Sequence, residues 1–153
     1  MPLYSDTPGV AIQVSRNVVV ASIQVDLDDD VLALFREDLL NRIHATGSSK
    51  VILDVSGLET LDSHEFAALR RIITMTAILG AQSVLVGLRP GVVSGLMEAG
   101  ADVDGLRTAI DLDAAFGLLQ PAARLESDTA TDTGADPEDR PSLESEQIPG
   151  TER

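Results

Sequence analysis

Two short apolar runs constrain this chain more than any other feature: Lys50-Val51-Ile52-Leu53-Asp54-Val55 and Ser83-Val84-Leu85-Val86-Gly87-Leu88. Each is too short for a buried helix and is rich in branched side chains, the pattern of a strand covered on both faces. Between them lies a loop and then an amphipathic stretch that predicts a helix over about residues 63–79, closed by Gly80. Strand, helix and strand within about 40 residues imply a parallel crossover, right-handed by the usual chirality of such units.

The flanking sequence extends this α/β unit. Val10, Ile12 and Val14 alternate with polar or small residues, and the turn Arg16-Asn17 leads into Val18-Val19-Val20-Ala21-Ser22-Ile23, which predicts a hairpin. Acidic Asp26, Asp28, Asp29 and Asp30 then mark a helix start, with Leu32, Phe35, Leu39 and Ile43 at helical spacing and Gly47 as the stop. After the second apolar run, Pro90 fits the first turn of a helix that carries Val92, Val93, Leu96 and Met97 and ends at Gly100. Residues 106–110 suggest a short edge strand, and Asp111 can cap a last helix through Leu112, Phe116 and Leu119. The expected order is ββαβαβα(β)α: a mixed sheet with an N-terminal β-hairpin and about four helices.

Composition sets the limits of the fold. Of 153 residues, 44% are apolar, enough for one core, and the formal net charge is −14. Residues 121–153 hold nine acids, three arginines and four prolines but only seven apolar positions. Such a segment cannot bury enough surface to offset its ordering entropy, so the expected division is a domain over 1–120 and an acidic, disordered tail over 121–153. The tail is either a solubilising extension or an interaction arm. Strong acidity argues against nucleic acid or an anionic membrane as partner. No apolar run approaches the roughly 20 residues of a membrane span. The first residues show no basic or apolar leader, and the chain has no cysteine, which together fit a cytoplasmic location.

The stretch with most chemical content is Leu53-Asp54-Val55-Ser56-Gly57-Leu58-Glu59-Thr60-Leu61-Asp62-Ser63-His64-Glu65-Phe66. Asp62 and Glu65 have the spacing of a capping box, with Asp62 as N-cap. Ser63 then occupies the first helical position, beside free N–H groups and the positive end of the helix dipole. The loop leaves the carboxyl end of a strand, where open α/β sheets present functional groups. A serine there can be reached by a kinase, although serine near a helix start is also common for purely structural reasons. Glu59, Asp62 and Glu65 make an acidic rim, and Arg70 and Arg71 lie about 10 Å along the helix at ~1.5 Å per residue. A phosphate added to that rim is therefore expected to disrupt a partner interface, not to order one.

Other constellations carry less. Asp54 with the Asp28–Asp30 cluster suggests a phosphoacceptor pocket, but that chemistry needs a lysine on a later strand, and Lys50 is the only lysine. His64 follows Ser63 directly, and helix neighbours about 100° apart do not form a nucleophile–base pair. His44 reads as a surface residue of the first helix. The two histidines lack metal-ligand spacing, and no phosphate-binding glycine motif occurs, so neither a metal, a cofactor nor an enzymatic activity is expected.

The order of elements, with Leu53-Asp54 followed by Leu61-Asp62-Ser63, resembles the STAS domain of anti-sigma-factor antagonists, the SpoIIAA-like fold. Within that family it is most similar to the RsbS-type scaffold of the stressosome. The likeness rests on Ser22-Ile23-Gln24, Leu27-Asp28-Asp29, Phe35, Glu37-Asp38-Leu39-Leu40-Asn41, Ile43, Thr46-Gly47, Ile73-Thr74-Met75, Gly80-Ala81 and Leu112. It spans roughly residues 10–120 and omits the tail.

The resemblance implies that Ser63 is the phosphorylated serine, with Asp54, Glu59, Asp62, His64 and Glu65 as its surroundings and candidate kinase contacts. The implied mechanism is partner switching. The unphosphorylated protein, assembled with RsbR-type paralogues in a large oligomer, holds an RsbT-type serine-protein kinase. Phosphorylation frees the kinase to activate a stress response, and an RsbX-type phosphatase resets the serine. Two departures stand out: His64-Glu65 replaces the small or apolar residues that usually follow the phosphoserine, and Val86 stands where RsbR-type paralogues can carry a second phosphorylatable threonine. The alternatives are a simple two-partner antagonist outside a stressosome and a STAS module that binds a nucleotide or small ligand.

Overall fold

The computed structural model describes residues 7–120; the expected acidic tail over 121–153 and the first six residues lie outside the described residues. β1 (Val10–Ser15) and β2 (Val18–Ile23) pair antiparallel. Their connection is the two-residue turn foreseen, with Arg16 and Asn17 at φ 53° and 64°. Positive φ at both central residues matches the turn to the twist of the strands it joins.

α1 (Asp29–Thr46) starts within the acidic cluster: the Asp28 carboxylate accepts the Val31 N–H at 2.8 Å, Asp29 and Asp30 fall in the first turn, and Gly47 closes the helix in the left-handed conformation. β3 (Lys50–Asp54), α2 (Ser63–Ile78) and β4 (Gln82–Val86) form the crossover, with β3 parallel to both β2 and β4. α3 (Pro90–Glu98) has Pro90 in its first turn. β5 (Thr108–Ala109), parallel to β4, is the two-residue edge strand, and α4 (Leu112–Leu119) is capped by Asp111. The sheet order follows the chain, β1-β2-β3-β4-β5.

Strand alternation divides the apolar residues between two layers. On one face Val19, Ala21, Ile23, Val51, Leu53 and Leu85 pack against Leu32, Phe35 and Leu39 of α1, Phe66, Leu69 and Ile72 of α2, and Leu96 of α3. On the other, Val18, Val20, Ile52, Val84 and Val86 meet Ala115 and Leu119 of α4. The hairpin turn is drawn to this second layer, where the Arg16 guanidinium stands 4.9 Å above the Phe116 ring. Phe35 is fully buried at the centre of the first layer, so truncating it to alanine should cost about 3–5 kcal/mol. The loop over residues 55–62 leaves the carboxyl end of β3 and delivers the start of α2 to the rim of the sheet.

Candidate functional site

The start of α2 is held as its sequence requires. The Asp62 carboxylate accepts the Glu65 N–H at 2.7 Å, and the Glu65 carboxylate accepts the Asp62 N–H at 2.9 Å. This reciprocal box satisfies two of the orphan donors at the helix end. Below it Leu61 and Phe66 are buried, which anchors the turn to the core. Ser63 is the first residue of the helix and is exposed, as are Glu59, Asp62 and His64; Glu65 is half-buried.

His64 does not turn toward the serine. Its Nε2 lies 3.3 Å from Oδ1 of Asp29, so it bridges the starts of α1 and α2 across two exposed side chains. Solvent screening keeps such a contact weak. His44 is exposed on α1, as expected. Among the described residues no group of histidine and acidic side chains is arranged to hold a metal ion. No described helix is long and apolar enough to cross a membrane.

Ser63 opens onto a solvent-accessible cavity of about 460 Å³ between α2 and the segment that follows α3. Phe66, Ala67, Arg70, Arg71 and Thr74 supply one wall, and Ala99 to Asp102 supply the other. The arginines, remote from Ser63 along the sequence, thus share its cavity, because helical residues at such spacings fall on one side. Arg70 is already engaged. It pairs with the Asp102 carboxylate at 2.8 Å, donates to the Asp104 carbonyl at 2.8 Å and also donates to the Asp102 carbonyl. The hydrogen bond from Arg70, helped by the Asp104 N–H, holds the Asp102 carboxyl below the usual carboxylate range. Arg71 makes no hydrogen bond or ion pair among the described residues. Sequence reasoning missed this cross-link, because residues 32 and 34 positions apart give no local signal.

Asp54 stands apart from the group expected around Ser63. It shares its strand face with Ile52, on the α4 side, and lines a separate cavity of about 450 Å³ with Ser56, Val86, Gly87 and the start of α4. Its carboxylate accepts the Ser56 N–H at 2.9 Å and so shapes the turn after β3. Gly87 closes against that turn: at φ 84° a side chain would be strained, and an added Cβ would lie 2.7 Å from the Ser56 Cβ. Arg89 completes the brace by donating from Nε to the Ser56 carbonyl at 3.2 Å.

A mixed sheet begun by an antiparallel hairpin, with α1 and α2 on one face and α4 on the other, defines the class, and the family model for the STAS domain matches residues 9–106. The chain belongs to the STAS domain family. Among solved structures it is similar to RsbS of Moorella thermoacetica in a serine-to-glutamate variant, at 30% identity and a TM-score of 0.62, covering 71% of this chain and 92% of that one. A chain from the molecular architecture of the stressosome, a signal integration and transduction hub, is 31% identical, with a TM-score of 0.62 and coverage of 70% and 93%. The unphosphorylated anti-sigma-factor antagonist SpoIIAA, 16% identical at a TM-score of 0.56 with coverage of 71% and 95%, shares the fold. No curated protein matches the chain.

Proposed function

We propose that this chain is a non-enzymatic phospho-switch and scaffold of the stressosome, an RsbS-like anti-sigma-factor antagonist whose reversible mark is a phosphate on Ser63. The observation that carries the reading is an exposed hydroxyl at the first position of a capped helix, in a STAS chain 30% identical to RsbS. In this reading the unphosphorylated form, assembled in the cytoplasm with RsbR-type paralogues, sequesters an RsbT-type serine-protein kinase. Phosphorylation of Ser63 releases the kinase to activate the stress response, and an RsbX-type phosphatase restores the hydroxyl. The chain needs no cofactor for this, because the kinase supplies the chemistry.

Electrostatics support the direction of the switch. The N–H groups of the first helical turn can accommodate a phosphate at Ser63, so the modified state is not itself prohibitive. For a docked partner the balance differs. About −1.5 to −2 charges are added to a rim that already carries the acidic side chains of Glu59, Asp62 and Glu65. Contacts made to that rim in the unmodified state then become repulsive or unpaired.

The test is phosphorylation by a cognate RsbT-type kinase with ATP, followed by mass spectrometry of the intact chain. One phosphate on Ser63, absent in Ser63→Ala, is the expected result. Undiminished labelling of the alanine variant excludes Ser63 as the site.

A further inference from the structure

Ser63 and Arg70 lie on the same side of α2 and line one cavity, and Arg70 supplies the polar clasp of the segment after α3 on that helix, beside the apolar packing of Ala101 and Leu106 on the core. Seven residues advance a helix by about 10 Å and almost two whole turns, which leaves the two side chains nearly in line. Helical side chains lean toward the N-terminus, so Arg70 reaches toward Ser63 and not away from it. The span is within the combined reach of an extended arginine and a phosphoserine. At present the guanidinium is committed to the Asp102 carboxylate and to the carbonyls of Asp102 and Asp104. Asp102 is an exposed competitor carrying one charge, whereas a phosphate brings nearly two and three acceptor oxygens.

Resting on the assignment of Ser63 as the modified residue, we propose that phosphoserine at position 63 takes Arg70 from Asp102 and thereby unfastens residues 99–105 from α2. The mark then acts through shape as well as charge. The freed segment carries Val103 and follows Met97, both exposed apolar side chains, so the surface offered to a partner beside Ser63 is remodelled when the clasp opens. Arg70 is a positioning residue in this scheme: it holds the segment in one state and the phosphate in the other. Arg71, which lines the same cavity, can assist the phosphate, while Glu59, Asp62, Glu65 and Asp102 oppose it.

The experiment installs phosphoserine at position 63 by genetic encoding, which bypasses the kinase and separates this proposal from the identity of the kinase's target. Amide hydrogen exchange over residues 99–105 should accelerate about tenfold on phosphorylation of the otherwise native chain. In Arg70→Gln the segment should exchange at that faster rate without the phosphate, and phosphorylation should add nothing. Phosphorus NMR gives a second reading: the phosphate's second ionisation should move to lower pH when Arg70 is present, further in Asp102→Asn, and back up in Arg70→Gln. Unchanged exchange on phosphorylation overturns the proposal, as does a phosphate titration indifferent to Arg70. Because Asp102→Asn leaves the apolar core intact, the titration remains decisive even if Arg70→Gln is poorly folded.

Discussion

Asp54 and Ser63 belong to one strand–loop–helix unit yet line different cavities, Asp54 against the start of α4 and Ser63 against the segment after α3. The alternation of β3 is the cause, because it turns Asp54 to the face of Ile52 while α2 packs over the face of Val51 and Leu53. Asp54→Ala should therefore leave the rate of Ser63 phosphorylation within about twofold. Its cost should fall on the turn it braces through the Ser56 N–H, about 0.5–1.5 kcal/mol for one hydrogen bond. Kinase assays and urea melts of the same variant separate the two effects; a large fall in labelling with unchanged stability would place Asp54 in the kinase contact instead.

The capping box gives a second expectation. Asp62→Ala removes the acceptor for the Glu65 N–H and leaves the Glu65 carboxylate reaching back alone. The loss should be about 0.5–2 kcal/mol. Glu65→Ala should cost less, and the double variant should fall short of the sum, because each half of the box positions the other. Chemical denaturation of the three variants measures this directly, and strict additivity would show that the two bonds act independently.

Asp102 sets a pH dependence whose sign follows from its partners. Its carboxyl is held below the usual value by the Arg70 hydrogen bond first and the Asp104 N–H second. A carboxyl lowered on folding binds its proton less readily in the folded state than in the unfolded one, so it stabilises the fold above the unfolded value, about 3.9. That contribution is lost as pH falls through the lower folded value. The stability difference between the native chain and Asp102→Asn should accordingly be constant near neutrality and shrink to nothing on acidification below about pH 4. Denaturant melts at stepped pH test it; a difference that persists at low pH would assign the effect to packing and not to charge.

What was readable in advance was whatever is local. Asp28, Asp62 and Asp111 announce helix starts because a cap acts within one turn of itself, and Arg16-Asn17 announces the hairpin because the turn alone fixes its register. The serine, its box and its acidic neighbours were legible for the same reason. The cavity was not. Arg70 meets Asp102 only after β4 and α3 have been laid down beside α2, and no spacing in the sequence encodes that meeting. Asp54 lies near Ser63 along the chain yet lines another cavity. Strand alternation separates Leu53 from Asp54, but which of their faces receives α2 is decided by tertiary packing.

Replacing the hydroxyl by a permanent charge isolates the electrostatic half of the switch. Ser63→Asp places a carboxylate at the first helical position, where the dipole and the free N–H groups tolerate it, so the fold should lose little stability. Against a docked kinase the same charge adds to Glu59, Asp62 and Glu65, and one unfavourable contact of that kind should weaken retention by about 1–3 kcal/mol. An aspartate carries one charge and two oxygens against the nearly two charges and three oxygens of a phosphate, so it competes less well for Arg70. Its effect should therefore be smaller than that of authentic phosphoserine and should fade as salt rises, since exposed charges are screened over about 10 Å at 0.1 M. Titrating an RsbT-type kinase against the native, aspartate and phosphoserine forms at two ionic strengths measures both parts. Equal retention of the kinase by all three forms would leave the acidic rim without a role in the release.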